Sequence, residues 1–265
     1  MKVVSVCGIS GSGKTTTIEN IISELCRRGY KVGSVKDIHF EQFTIDPVET
    51  SNTNRHRRAG ASLVTARGLF ETDILHQSRL SVEEIIDIYD GKYDWLVLEG
   101  VDDAPIPTIV TAHTHEDLKD KWSDMAFAVS GRLSAEIDEY MGKPAIDATT
   151  NIGELVDLIE LKVYDRLPNF PPECCGACGM PSCGDFAEAV IAGQRHRKEC
   201  VANKGIELHI NGKRIQMVPF VQQILTNAVL GVASELIGYE KGCDIEIKLT
   251  NHHLSEQAKY SAADK

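Results

Sequence analysis

The chain has 265 residues, a formal net charge of −11 and 42% apolar residues, a composition typical of a globular protein. The negative charge argues against nucleic acid as the main partner, because binding phosphates along a nucleic acid needs a basic surface. No run of about 18 apolar residues occurs, so no membrane span is expected. The sequence enters a strand pattern at once, without a basic-then-apolar leader, and a cytoplasmic location is expected.

The first motif is the glycine-rich loop Gly8-Ile9-Ser10-Gly11-Ser12-Gly13-Lys14-Thr15, which fits the phosphate-binding P-loop pattern G-x-x-x-x-G-K-[ST]. A β-branched apolar run at 2–7 precedes it and a helical pattern over 16–28 follows it, as the motif requires. Glycines let backbone N–H groups surround a phosphate, and a helix N-terminus adds partial positive charge. We therefore predict a GTP or ATP site formed by Gly8, Ser10, Gly11, Ser12, Gly13, Lys14, Thr15 and Thr16.

Within this loop, Lys14 is expected to reach the β- and γ-phosphates and Thr15 to bind Mg²⁺. A second apolar run, 93–98, ends in the acid Glu99, which is the Walker B pattern. We expect Glu99 at the carboxyl edge of the sheet, where it would hold Mg²⁺ or orient the attacking water. The alternative is an acid that only ends a strand, and Asp102 and Asp103 are weaker candidates.

The polar stretch 37–54 lacks a clear periodicity, and a loop of this length is usually functional or mobile. Asp37 and His39 are the residues in it best placed to meet Mg²⁺ or the γ-phosphate, and Asp37 is counted with Lys14 and Glu99 as a candidate catalytic residue. A surface loop is the equal alternative. The basic cluster 55–58 is either a solvated face or a segment that faces an anion near the nucleotide.

Strand and helix patterns alternate through residue 167, which predicts an α/β fold, a P-loop NTPase domain with a mainly parallel sheet and helices on both faces. Further strands are predicted at 31–36, 61–66, 106–111, 125–129 and 144–146, and further helices at 81–89, 133–140 and 152–166. No N-K-x-D guanine signature occurs in this domain, so the sequence leaves the base open.

Three segments of this domain together resemble the molybdopterin-guanine dinucleotide biosynthesis protein B (MobB) family over about residues 1–167. They are the P-loop, the segment Asn54-Arg55-His56-Arg57-Arg58-Ala59-Gly60-Ala61 and the strand end Leu98-Glu99-Gly100. The resemblance implies a small, dimeric GTP-binding protein of molybdenum or tungsten cofactor assembly. Family members commonly have Lys-His after the second strand and Phe-Lys after Glu-Gly. This chain has Lys36-Asp37 and Val101-Asp102 there, and both departures remove a residue from the presumed nucleotide face.

A cysteine-rich segment begins after the helix-breaking prolines at 168, 171 and 172. Four of the eight cysteines follow C-x₂-C-x₄-C, then sixteen residues and a last cysteine: Cys175, Cys178, Cys183 and Cys200. In a cytoplasmic protein such a cluster indicates metal more often than disulfides. Four thiolates suit a [4Fe–4S] cluster or tetrahedral Zn²⁺, and the lone last cysteine fits the paired knuckles of structural zinc sites poorly.

The run 175–193 together with Cys200 resembles the four-cysteine [4Fe–4S] module of the corrinoid iron–sulfur proteins, which implies an iron–sulfur cluster on these four residues. A short helix is predicted at 185–194. Cys174 lies outside the matched spacing and is interpreted as a bystander thiol, with a spare ligand as the alternative. His196 is interpreted as a solvated helix-end residue more readily than as a ligand.

The rest of the chain predicts a small α+β unit. A hairpin is expected over 207–218 around Asn211-Gly212, then a helix over 219–237 and a strand over 244–249, with a polar tail at 251–265. The predicted domains are thus 1–167, 168–203 and 204–250, followed by the tail.

The leading interpretation is a GTP-binding P-loop protein with an iron–sulfur module in molybdenum or tungsten cofactor biosynthesis. Any hydrolysis would be slow without a partner, because no arginine finger is evident. The first alternative is a nucleotide-gated iron–sulfur electron donor or metallocofactor maturation factor, and the second is a nucleotide-dependent interaction protein with structural zinc. The expected partners are the nucleotide, a second copy in a homodimer, and molybdenum-cofactor enzymes or a cofactor-assembly or redox protein.

Overall fold

The structure is a computed structural model that describes residues 1–38, 50–168, 170, 175–200, 202, 206–210, 213–215 and 217–249. The chain forms two compact units, Met1–Ala202 and Asn203–Lys265. The first unit therefore contains both the predicted P-loop region and the predicted cysteine ligands. The predicted domain boundaries at 167/168 and 203/204 stay predictions.

The first unit is built on a five-stranded parallel sheet. Its strands are β1 (Lys2–Gly8), β2 (Val32–Lys36), β5 (Trp95–Glu99), β6 (Thr108–Thr111) and β7 (Ala126–Ser130), in the order β2-β5-β1-β6-β7. The central strands are apolar on both faces, since Val4, Val6, Leu96 and Val97 are almost completely buried. Such continuous apolar strands are typical of a parallel sheet covered by helices on both sides. The predicted α/β class with a parallel sheet is confirmed.

Helices cover the two faces as the alternation of patterns predicts. Helices α1 (Lys14–Arg27) and α5 (Ile152–Lys162) pack in one apolar cluster against Val4, Val6 and Val97. Helix α3 (Val82–Tyr89) packs on the opposite face against Leu96 and Leu98, and α4 (His115–Lys121) packs there beside β6 and β7. Helix α2 (Asn52–Arg58) leads into a separate hairpin of β3 (Leu63–Arg67) and β4 (Thr72–His76).

An ion-pair network at the end of α1 ties this helix to α5. The Arg28 guanidinium donates to the carboxylates of Glu24 at 2.9 Å, Asp157 at 2.7 Å and Glu160 at 2.6 Å. Hydrogen bonds from Arg27 and Arg28 lower the pKa of the Glu24 carboxyl to about 2. The network therefore joins two helices that are far apart in sequence.

The predicted helix over 133–140 is wrong. Only a short 3₁₀ helix, Arg132–Ala135, forms there, and it is followed by the two-residue strands β8 (Glu139–Tyr140) and β9 (Lys143–Pro144). Met141 and Gly142 join these strands with φ values of 49° and 72°. Positive φ at both central residues is the geometry of a type I′ hairpin turn, which ends any helix.

Helix α6 (Cys183–Ile191) connects the cysteine region to the main core. Its Ala187 and Ile191 side chains are buried in the cluster formed by α1, α5 and the sheet, whereas Phe186 faces a smaller cluster with Cys200. The helix begins at a Ser182 cap, where the Ser182 hydroxyl accepts from the Asp185 N–H at 3.1 Å. The cysteine region is therefore packed on the P-loop domain within one unit.

In the second unit, β10 (Leu208–Ile210) and β11 (Lys213–Ile215) pair antiparallel, as the predicted hairpin requires, and α7 (Pro219–Ala233) follows with proline in its first turn. The expected strand over 244–249 is wrong, because none of the described residues 217–249 forms one. Alternating apolar residues form a strand only when a partner satisfies their backbone groups. None of the helices in the described ranges is long and apolar enough to cross a membrane.

Candidate functional site

The predicted P-loop joins β1 to α1 at the carboxyl edge of the sheet. Gly11 and Gly13 have φ values of 75° and 99°, which let the backbone fold into the tight loop that precedes Lys14. Gly8 lies against β6, and a methyl group there would fall 2.1 Å from the Thr111 carbonyl oxygen. The glycines of the motif are therefore required by the backbone path and by the approach of β6.

Lys14, the first residue of α1, folds back over the loop. Its ammonium donates to the carbonyl oxygens of Gly8 at 2.9 Å and Ile9 at 2.5 Å. Partial burial lowers the pKa of Lys14, while the nearby Glu99 carboxylate opposes that shift. The ammonium thus lies over the concave face of the loop, where a phosphate oxygen would replace the carbonyl oxygens as its acceptor.

Glu99 lies at the end of β5, next to the P-loop. The Thr15 hydroxyl donates to its Oε1 at 3.1 Å, and the Lys36 ammonium, at the end of β2, lies 2.8 Å from the same oxygen. The sheet order explains this, because β5 lies between β1 and β2. The structure therefore brings together Thr15 and Glu99, the two residues predicted to bind Mg²⁺.

Asp37 follows β2 and is only partly exposed. Its backbone N–H donates to the Glu99 carbonyl oxygen at 2.9 Å, and its carboxylate lies 3.6 Å from the Arg79 guanidinium. Asp37 lines the same cavity as the P-loop. Its predicted contact with Mg²⁺ or the γ-phosphate stays a prediction, and His39 lies outside the described residues.

A cavity of about 1000 Å³ opens above the loop. Its wall includes all the predicted nucleotide-binding residues except Ser12: Gly8, Ser10, Gly11, Gly13, Lys14, Thr15 and Thr16. Ser12 is buried beneath the loop, where its hydroxyl bonds with the Ile9 carbonyl at 2.8 Å and with Thr111 Oγ1 at 2.7 Å. The Ser12 side chain therefore holds the loop against β6.

Four charged residues of the cavity wall were not predicted as site residues: Lys36, Lys121, Arg132 and Asp147. Lys36 ends β2, Lys121 ends α4, and Arg132 and Asp147 follow short strand segments. Sequence reasoning missed them because the positions of these elements beside the P-loop depend on the strand order, which local patterns do not specify. Knowledge of the strand order would have placed Lys36 and Arg132 at the same edge as the P-loop. The basic helix α2 contributes no residue to this wall, and Arg57 instead donates to Gln77 Oε1 at 3.1 Å.

The cysteine region forms a second candidate site. Cys175, Cys178, Cys183 and Cys200 all line one small cavity, together with Leu167, Pro168, Ser182 and Phe186. A turn between Gly176 and Gly179 places Cys178 beside Cys175, and Cys183 begins α6. Sixteen intervening residues bring Cys200 back to the same cavity, as predicted.

The return of the chain to Cys200 is fixed by Arg197. Its guanidinium donates to the carbonyl oxygens of Asp165 at 2.7 Å and Arg166 at 2.9 Å, which lie just after α5. Cys200 is buried with Phe186 and Ala202 in an apolar cluster. Burial also raises the pKa of the Cys183 thiol above its ordinary value, although a hydrogen bond from the Phe170 backbone opposes this.

The donor set fits a thiolate-held cluster. Each of the four residues is a free cysteine, and their cavity is apolar around the sulfur atoms. Among the described residues, no group of three or more His, Cys, Asp or Glu side chains has the geometry to hold a single metal ion. A [4Fe–4S] cluster is held by four cysteine thiolates, and four free cysteines line this one cavity.

One other predicted candidate, His196, does not join this cavity. His196 is not among its lining residues, and its backbone N–H donates to Glu199 Oε1 at 2.8 Å. Cys174 lies outside the described residues.

Comparison with known proteins identifies both regions. Residues 3–129 match the family described as "Molybdopterin guanine dinucleotide synthesis protein B" (MobB), and residues 171–202 match the family described as "Putative Fe-S cluster". The chain is also similar to the crystal structure of Bacillus subtilis MobB, with a TM-score of 0.50 and 25% identity over 63% of this chain and all of that chain.

Two curated relatives share this similarity. A Methanocaldococcus jannaschii protein named "Putative molybdopterin-guanine dinucleotide biosynthesis adapter protein" is 29% identical over 94% of this chain and 97% of its own length. A Bacillus subtilis protein named "Probable molybdopterin-guanine dinucleotide biosynthesis adapter protein" is 27% identical over 60% of this chain and 93% of its own length. The chain therefore contains a MobB family domain over residues 3–129 and, after it in sequence, a domain of the family described as "Putative Fe-S cluster" over residues 171–202.

Proposed function

We propose that this chain is an adapter protein of molybdopterin guanine dinucleotide biosynthesis that binds Mg²⁺–GTP at its P-loop and carries a [4Fe–4S] cluster. The names of the relatives support the adapter role, since the Methanocaldococcus jannaschii relative matches the chain over nearly its whole length. The Fe–S family match and the four converging cysteines support the cluster. The P-loop geometry supports the nucleotide.

One observation carries the nucleotide part of this proposal, namely the contact of 3.1 Å between Thr15 Oγ1 and Glu99 Oε1 at the mouth of the cavity. Thr15 lies in the first turn of α1 and Glu99 at the end of β5, yet the two atoms meet next to the expected phosphate position. Two oxygens this close can share one Mg²⁺, whose oxygen ligands lie at about 2.0–2.1 Å. Lys14 and Lys36 flank the pair and would balance the charge of the β- and γ-phosphates.

The cysteine residues would hold the cluster through their thiolates, and a bound [4Fe–4S] cluster would supply one-electron chemistry. The chain contributes the thiolates, the apolar wall around Phe186 and the fixed return of Cys200 by Arg197. Release of the four thiol protons is part of binding. A slow hydrolysis of the nucleotide belongs to the proposal as well, with Glu99 orienting water or metal.

The proposal is tested in the native host by replacing Lys14 with alanine in the chromosome and measuring guanylated and unguanylated molybdopterin released from cells. Lys31→Ala is the matched control, because Lys31 is exposed and is not part of the cavity wall. We expect Lys14→Ala to lower the guanylated fraction and Lys31→Ala to leave it unchanged. An unchanged fraction in both strains would contradict the proposed role.

A second candidate function, nucleotide control of the cluster, is favoured by a specific contact. The segment that follows Glu99 runs to Pro105, Ile106 and Pro107, which line a small cavity together with Cys183. Gly184 lies beside Pro105, since a methyl group on Gly184 would make ordinary van der Waals contact with Pro105 Cβ, at 3.8 Å. A shift of Glu99 on nucleotide binding would therefore be transmitted through residues 100–107 to Cys183, a proposed cluster ligand.

This candidate function is tested by electron paramagnetic resonance of the reduced, anaerobically purified protein with and without Mg²⁺–GTP. Nucleotide control predicts a change in the cluster spectrum for the wild type and none for Lys14→Ala. An identical wild-type spectrum in both states would remove this candidate and leave the adapter proposal standing.

A further inference from the structure

The P-loop domain has no N-K-x-D signature that would recognise a guanine base. Its cavity wall does contain an acid outside the phosphate loop, Asp147. Asp147 follows a short parallel bridge between Ala145 and Val129, and the Ile146 N–H donates to the Val129 carbonyl at 2.9 Å. The chain therefore extends the sheet beyond β7 for a few residues and turns towards α5 at Asp147. This turn and the end of β7, at Gly131 and Arg132, form one side of the cavity.

The end of β7 is fixed against the P-loop, which places this side next to the nucleotide site. The Arg132 backbone N–H donates to the Ser12 carbonyl at 3.1 Å. A methyl group on Gly13 would lie only 3.1 Å from the Gly131 Cα. Arg132, Asp147 and Thr149 therefore form the cavity wall on the β7 side of the P-loop, opposite the β2 side with Lys36. This side is open to the sugar and base of a nucleotide whose phosphates lie in the loop.

The Asp147 carboxylate is held in one orientation. Its Oδ1 accepts the Thr149 N–H and the Thr149 hydroxyl, each at 2.8 Å. Hydrogen bonds from Thr149, led by that of its backbone N–H, lower the pKa of Asp147, so the group is ionised at neutral pH. An ionised carboxylate only accepts hydrogen bonds and has about four acceptor positions, so it keeps capacity for a ligand.

We propose that Asp147 reads the base by accepting the N1–H and the 2-amino group of guanine, which makes the site selective for GTP over ATP. This inference rests on the proposed nucleotide site. Guanine presents two adjacent donors on its Watson–Crick edge, whereas adenine presents the ring N1 acceptor there, and two acceptors repel. A site built to hydrogen-bond a ligand group rejects analogues that lack it by as much as about 10⁴-fold.

Asp147 also shapes the turn before α5, and the Asp147→Asn variant separates that structural role from base reading. Asparagine keeps an oxygen that accepts from Thr149 and so preserves the turn, but it replaces one acceptor with an N–H₂ donor. When the amide N–H₂ faces position 2, it repels the 2-amino group of guanine and donates to the oxygen that xanthine has there. Asp124→Asn is the matched control, since Asp124 is exposed and lies outside the cavity wall.

The experiment is calorimetric titration of the full chain with the Mg²⁺ complexes of GTP, ATP, ITP and XTP, with the thermal midpoint as a measure of folding. We expect the wild type to bind GTP at least about 100-fold more tightly than ATP, with ITP weakened because it lacks the 2-amino group. In Asp147→Asn, GTP should weaken at least tenfold and XTP should strengthen, at an unchanged midpoint. Asp124→Asn should match the wild type.

Two results overturn the inference. Equal wild-type affinity for GTP and ATP would remove base reading, and so would an unchanged preference for GTP in Asp147→Asn. Either result leaves the P-loop site intact as long as Lys14→Ala abolishes binding. If the wild type binds none of the nucleotides, both the proposed nucleotide site and the reading of its base are refuted.

Discussion

Gly131 offers a sharp test of how the P-loop is supported. It has φ 74° and ψ −152°, a backbone region essentially restricted to glycine, where other residues cost about 1–3 kcal/mol. A methyl group there would also fall 2.3 Å from the Ser12 carbonyl oxygen and 2.9 Å from Thr111 Cβ. Overpacking of this kind adds about 1–3 kcal/mol. We therefore expect Gly131→Ala to lower the free energy of unfolding by about 2–6 kcal/mol.

The clash also predicts a functional effect. Relief of the contact must move either the P-loop or the end of β7, and both movements lengthen the hydrogen bond of 3.1 Å between the Arg132 N–H and the Ser12 carbonyl. We expect the affinity for Mg²⁺–GTP to fall by about tenfold or more, equivalent to about 1.4 kcal/mol. Urea denaturation measures the stability of the variant, and calorimetry under native conditions measures its affinity.

The matched control is Gly29→Ala. Gly29 has a φ of 92°, yet nothing lies within 4 Å of a methyl group added there. This variant should lose only about 1–2 kcal/mol from the left-handed conformation and should bind nucleotide like the wild type. Equal stability losses in the two variants, with unchanged affinity in both, would refute the argument that Gly131 supports the P-loop by close approach.

Three further predictions follow from the ion pairs and thiols. Glu99→Gln should bind nucleotide but lose Mg²⁺ dependence or hydrolysis, measured by phosphate release over a Mg²⁺ series; unchanged values would place the Walker B role elsewhere. Cys175→Ser should lose most of the about four iron and four sulfide per chain, and Cys174→Ser should keep them; the reverse result would shift the ligand set by one residue. Because the pKa of Glu24 is depressed to about 2, its pairing with Arg28 stabilises the fold above about pH 4.5 and is lost as the pH falls towards 2. Glu24→Gln should therefore flatten the fall in unfolding free energy over this range, and an equal slope in variant and wild type would count against the network.

Local patterns were sufficient to predict the strand, the loop and the helix at the P-loop. The motif specifies its own conformation, because its glycines supply the positive φ values and its lysine begins α1. The cysteine spacing likewise identified four residues that share a cavity, although they are separated by a helix. In both cases the chemistry is encoded by residues that are close in sequence or by a fixed spacing.

The remaining features depend on pairings that a local pattern does not contain. Lys36 meets Glu99 because β2 pairs with β5, and Asp147 reaches the cavity because Ala145 pairs with Val129. The helix predicted over 133–140 failed because Met141 and Gly142 form a hairpin turn that competes with helical spacing. Sequence reasoning also missed α4, even though Thr114 and Asp117 form a capping box that marks its start.

Calorimetric titration of anaerobically purified wild-type protein and Lys14→Ala with Mg²⁺–GTP tests the central claim most directly, because the Lys14 ammonium lies over the predicted phosphate position. The proposed nucleotide site predicts one nucleotide bound per wild-type chain and no measurable binding by a Lys14→Ala variant that keeps the wild-type thermal midpoint. Equal affinity in the two proteins, or no binding by the wild type, would contradict the account.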